Sequence, residues 1–216
     1  MQISTQAIAT YPVRLDAPSQ VTLADLARLE ANAQDVMAIA MKLTDSWGQA
    51  MFVMDGAYVA KLFAALGYTK EVADAVYERV RSLAYVNHKI QGQADRAEFT
   101  WHITDAACFT LRGAKDLSKA MASVTDANIE QTLLANKSVF DRLMDIMPDY
   151  SRNLMFSPGV ASTVMATIGS SVSAEKIYDL AWRYGGQVTK DLDGRLGVST
   201  QFVRALTLTI SATITK

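Results

Sequence analysis

Apolar residues recur along most of this chain at intervals of three and four, the spacing that lines one face of an α-helix. From Thr22, an N-cap with Asp25 in the first turn, the residues Leu26, Leu29, Ala33, Val36, Met37, Ala40 and Trp47 predict a long helix ending near Gly48. A second helix is predicted over Gly56 to Leu66, capped by Asp55 and stopped by Gly67, with Val59, Leu62, Phe63 and Leu66 inward. Thr69 begins a third, burying Val72, Val76, Val80, Leu83 and Ala84 beneath a solvated charged face that includes Lys70, Glu71 and Asp74. Thr104-Asp105 can cap a helix toward Ser123. Thr125 opens the clearest later one, with a stripe of Ile129, Leu133, Phe140, Leu143, Met144 and Met147 that Pro148 stops.

The pattern weakens at both ends and in two middle stretches. Residues 1–21 read as an extended arm or short strand, with Pro12 and Pro18 before the first helix. Phe99 to Ile103 fits a strand or a helical turn. Residues 149–172, with Ser157-Pro158-Gly159 and Gly169-Ser170-Ser171, read as a linker-like boundary. Ser173 then caps a helix with Ile177, Leu180, Ala181 and Tyr184 on one face, and Gly185-Gly186 ends it. Thr207 to Thr215 (TLTISATIT) is β-branched and alternating, and predicts a final strand.

Two structures compete for the stretch from Val188 to Leu206. Asp193-Gly194 is a hairpin signal, but a two-residue loop would set Leu192 opposite Arg195 and Val188 opposite Ser199, dividing the apolar side chains between two faces. As helices, Leu192 and Leu196 share a face, Gly197 ends one helix and Ser199 caps the next. That next helix places Phe202, Val203 and Leu206 inward and Thr200, Gln201 and Arg204 outward. The helical reading is preferred because it collects the apolar residues on one side.

In that form Leu192, Leu196, Gly197, Val198, Ser199, Val203 and Leu206 make the segment resemble the helix-turn-helix of bacterial and phage repressor-type DNA-binding domains. The resemblance covers about 20 residues, or about 35 from Ser173, and implies that Ser199 to Leu206 is a recognition helix in the major groove. Ser199, Thr200, Gln201 and Arg204 would then be the DNA-binding residues, reaching bases or phosphates of double-stranded DNA.

The expected fold is therefore mainly α. It comprises an arm (1–21), a helical body (22–148), a linker-like region (149–172), and a helix-turn-helix subdomain with a C-terminal strand (173–216). Charge changes this picture little. Lys and Arg number 21 against 22 Asp and Glu. From Ser173 onward six basic residues outnumber Glu175, Asp179, Asp191 and Asp193 by two, the sign a DNA-binding module needs.

Chemistry is sparse. His88 and His102 lack metal-ligand spacing, Cys108 sits among apolar neighbours as a buried thiol, and no nucleophile motif or phosphate loop is present. A non-enzymatic protein without metal or cofactor is expected. No signal sequence opens the chain, and the longest apolar stretch, Gly159 to Gly169, is too short to span a membrane; a cytoplasmic protein with no membrane partner is the expectation. The first helix carries Leu23, Ile39, Met41 and Leu43 outside its main stripe, which predicts burial on most sides and a homo-oligomer. Two functions follow: DNA binding through the C-terminal segment with a self-associating body, or a structural or assembly subunit (shell, virion or scaffold) whose extended termini contact its neighbours.

Overall fold

The computed structural model describes residues 39, 56–71, 74, 105–109, 114–146, 155–190 and 192–213. The helix expected from Thr22, apart from Ile39, lies outside them, as do the N-terminal arm, Phe99 to Ile103, both histidines and Pro148. The described residues are mainly helical, as expected. The chain divides into two compact units: residues 16–114, and a second formed by 1–15 with 115–216.

In the first unit, α1 (Gly56–Ala65) buries Leu62, Phe63 and Leu66, the face its spacing predicts. Gly67, at φ 90°, closes it with two reversed hydrogen bonds: the Gly67 amide donates to Ala64 O and the Tyr68 amide to Phe63 O. This is the Schellman ending, and its usual apolar contact is present, Phe63 and Tyr68 lying 5.2 Å apart between ring centroids. Lys70 then pairs with Asp74 at 2.5 Å on an exposed face, as expected of the third helix. Residues 105–109 are helical and buried, Cys108 among them.

The second unit contains α2 (Ala114–Met121), which straddles the division, then α3 (Ile129–Ala135) and α4 (Lys137–Ile146). Between these two, a break at Asn136 interrupts the single stripe that the sequence predicts. The Asn136 side chain donates to Thr132 O and its amide to Leu133 O, while its own carbonyl starts α4 by accepting from Val139 and Phe140. The apolar positions Ile129, Leu133, Phe140 and Leu143 are buried as predicted.

The linker-like region is structured from Met155 and belongs to this same unit. It supplies β1 (Met155–Phe156) and α5 (Pro158–Thr167). Ser157 caps α5 by accepting from Val160 N, with Pro158 in the first turn, where a missing N–H costs nothing. Gly169, at φ 104°, ends it against α2, so close that a Cβ there would meet Ser118 O at 2.7 Å. Then α6 (Ala174–Arg183) follows its predicted cap: Ser173 Oγ accepts from Lys176 N at 3.1 Å. Ile177, Leu180 and Ala181 face inward.

The next stretch departs from the expected helices. Val188–Lys190 and Leu196–Ser199 are strands β2 and β3, antiparallel, with β1 on the other side of β3 in the order β1-β3-β2. The hairpin escapes the objection to a two-residue turn by a different register. Val188 lies opposite Val198 and Lys190 opposite Leu196, leaving a five-residue loop that contains Gly194 at φ 77°. A one-residue shift exchanges sheet faces, so Val188 and Val198 now share one.

The last element, α7 (Thr200–Thr213), replaces the expected C-terminal strand. Its β-branched residues are accommodated because their hydroxyls bond within the helix: Thr207 Oγ1 donates to Val203 O, Thr209 Oγ1 to Ala205 O and Ser211 Oγ to Leu208 O. Every position from Thr200 to Ser211 is buried. Such a helix follows surroundings rather than its weak propensity. Phe202 anchors it, meeting Phe140 of α4 edge-on at 5.5 Å and leaving room only for glycine at 186.

Candidate interaction surface

The four residues assigned to an exposed recognition helix are all buried in this chain. Ser199 ends β3, and its Oγ caps α7 by accepting from Phe202 N at 3.2 Å. Thr200 is shut off from solvent at the first position of α7. Gln201 Nε2 donates to Met144 O at 2.7 Å, tying α7 to the last turn of α4. Arg204 is fully buried and engaged. The expected geometry fails for a physical reason: the helix is buried all round, and the preceding helix that should cross the DNA backbone is a hairpin. In place of a groove-reading face, this segment provides structural capping and packing.

What it exposes instead is the hairpin loop. Leu192, expected to share a helix face with Leu196, is as accessible as in an extended peptide, and Leu196 at the base of β3 is also exposed. Lys190, Asp193 and Arg195 surround them in solvent. Asp193 and Arg195 lie 3.7 Å apart with both side chains largely exposed, and an ion pair so exposed contributes little. The loop is held from below. Gly197 admits Thr189 Oγ1 and Met155 so closely that a Cβ would stand 2.9 Å from the hydroxyl, and Ser199 N donates to Gln187 O at 2.9 Å. An apolar tip on a fixed base is an arrangement suited to contact.

A second polar constellation joins α3 to α6. Glu130 accepts from Arg183 through both terminal guanidinium nitrogens, from Tyr184 Oη at 2.6 Å and from Lys176 Nζ at 3.3 Å. Arg183 also pairs with Asp179 one turn back and lies 5.6 Å over the Tyr184 ring. The Arg183 hydrogen bonds, with those from Tyr184 and Lys176, hold the Glu130 carboxyl down at about 2. Its hydrogen bond to that carboxylate pushes the Tyr184 phenol up. Asp126 accepts from Ser173 N at 2.8 Å, and its bonds to Ser173 lower its carboxyl, so the cap of α6 is held from the α3 side too. Each carboxylate oxygen of Glu130 already accepts hydrogen bonds. The cluster is a clamp between α3 and α6.

Sequence reasoning missed this clamp because Glu130 and Arg183 are 53 residues apart. The only local sign was the Asp179/Arg183 spacing of one helical turn. Beside it, Trp182 projects from α6 with 68% of its surface exposed. Among the described residues no group of His, Cys, Asp and Glu side chains is arranged to hold a metal ion, and no helix is long and apolar enough to cross a membrane. No family model, curated protein or solved structure matches this chain.

Proposed function

We propose that this protein is a structural or assembly subunit that associates with further copies of itself through the β2–β3 hairpin. The observation that carries the reading is Leu192, a large apolar side chain fully exposed at the tip of a hairpin whose base is fixed. Burial of one leucine side chain contributes roughly 1.5–3 kcal/mol, enough to matter when each subunit contributes the same contact. The charge of this segment suits a second copy better than a nucleic acid: along the sequence from 190 to 195, Lys190 and Arg195 balance Asp191 and Asp193, so it carries no net charge. A phosphate backbone is held by an excess of positive charge, which the hairpin lacks.

This reading differs from an assembly of extended termini. The C-terminal arm is the buried helix α7, and the exposed hairpin takes its place as the projecting element. DNA binding is the less favoured reading, since Ser199, Thr200, Gln201 and Arg204 face the interior. Light scattering at rising protein concentration, paired with a salt-titrated assay on double-stranded DNA, separates the two. Assembly predicts concentration-dependent growth and no salt-sensitive DNA affinity; a monomer that binds DNA at low salt reverses the order.

A further inference from the structure

We infer that Asp193 is a site of covalent backbone change, converting through a succinimide to isoaspartate and presenting the isoaspartyl carboxylate as a substrate for a carboxyl methyltransferase. The inference rests on the loop's chemistry and geometry and holds whether or not the hairpin mediates assembly.

In an Asp-Gly pair the glycine nitrogen attacks the aspartyl Cγ. A new C–N bond forms, a carboxyl C–O bond breaks, and the hydroxyl leaves with the amide proton as water. One water then adds to either ring carbonyl. Opening at one carbonyl restores aspartate; opening at the other gives isoaspartate, in which the main chain runs through the side-chain carbon. One water is lost and one regained, with no oxidation or reduction.

Two requirements decide where this happens: a following residue without a Cβ, and a backbone able to bring that nitrogen onto Cγ. The chain has two Asp-Gly pairs, Asp55-Gly56 and Asp193-Gly194. Gly56 begins α1, so its backbone is held in helical conformation. Gly194 lies in the five-residue hairpin loop, outside both strands, at φ 77° and exposed. Among the described residues, a Cβ there would meet only the Lys190 Cε, at 3.6 Å. The Asp193 side chain is 73% exposed. Exposed loop tips with small residues are where the backbone is most free to rearrange. The product inserts one methylene into the main chain beside Leu192 and leaves a free α-carboxylate at 193.

The test uses the full-length folded protein, incubated for weeks in warm near-neutral buffer, with a parallel sample kept unfolded in guanidinium. Electron-transfer fragmentation of the digested chains separates isoaspartate from aspartate at each position. The expected result is several-fold more isoaspartate at 193 than at 55 in the folded chain, with the two positions approaching equality in the unfolded one. Methyl transfer to the aged folded chain should be lost in Asp193→Glu, whose ring closure is much slower. Equal isomerisation at 193 and 55 in the folded protein, or a 193-to-55 ratio unchanged by unfolding, would overturn the inference.

Discussion

Gly186 lies directly beneath the ring of Phe202: a Cβ added at 186 would stand 2.8 Å from Phe202 Cδ2 and 2.8 Å from the Ala181 Cβ. That gap lets the turn after α6 pass over α7 and sets where the hairpin begins. Gly186→Ala must therefore push apart two packed elements, and is expected to destabilise the protein by about 1–3 kcal/mol. Denaturant unfolding measures it. Gly185→Ala is an informative companion, because among the described residues its Cβ meets nothing within 4 Å and its cost arises from the positive φ of 81°.

Acid should weaken the clamp between α3 and α6. Glu130 has its carboxyl lowered to about 2 in the folded protein, against an ordinary value of 4.5. A carboxyl with a lowered folded value favours the folded state above the unfolded value, and that contribution disappears as pH falls from 4.5 toward 2. Glu130→Gln should therefore flatten the pH dependence of melting temperature in that window, with its greatest effect near neutrality. Melting curves across the acid range, with the unmodified chain alongside, provide the comparison.

The cap of α6 makes a narrower claim. Ser173 Oγ accepts from Lys176 N, and Ser173 N is held by Asp126. Ser173→Ala removes the first bond together with the side-chain hydrogen bond to Asp126 and leaves the one from Ser173 N, with an expected loss of about 1–2 kcal/mol. Thermal unfolding with no change in helix content away from α6 checks both parts.

Arg204 and Gln201 distinguish a buried structural role from an exposed binding one. Removing Gln201 leaves the Met144 carbonyl without its donor, at an expected cost of about 1–2 kcal/mol. Arg204→Ala removes a fully buried, engaged charge and should cost about 3 kcal/mol or more. Residues on a free DNA-reading face would leave stability unchanged. Unfolding of the two variants decides between these outcomes.

Much of the fold was legible wherever the determining signal was local. The Leu62, Phe63 and Leu66 face, the Gly67 ending and the Ser173 cap depend on neighbours within a turn or two, and each appears where its spacing places it. The hairpin was harder, because the Leu192/Leu196 spacing and the Asp193-Gly194 turn argue for different structures. The register that settles it depends on the pairing of Val188 with Val198. Thr207 to Thr213 misled for another reason: β-branched residues disfavour helix by a few tenths of a kcal/mol each, which burial and hydroxyl back-bonding outweigh. The Glu130 clamp had almost no sequence signature, since its partners meet only after α3 and α6 pack.

The most direct test of the central claim concerns Leu192. Sedimentation of the full-length chain over a wide concentration range, beside Leu192→Asp, reads association, and unfolding of the same samples reads stability. Leu192 touches solvent, so the substitution should leave stability within about 0.5 kcal/mol while reducing self-association at least tenfold. A chain that stays monomeric at every concentration, or one whose association is indifferent to Leu192→Asp, would contradict assembly through the hairpin.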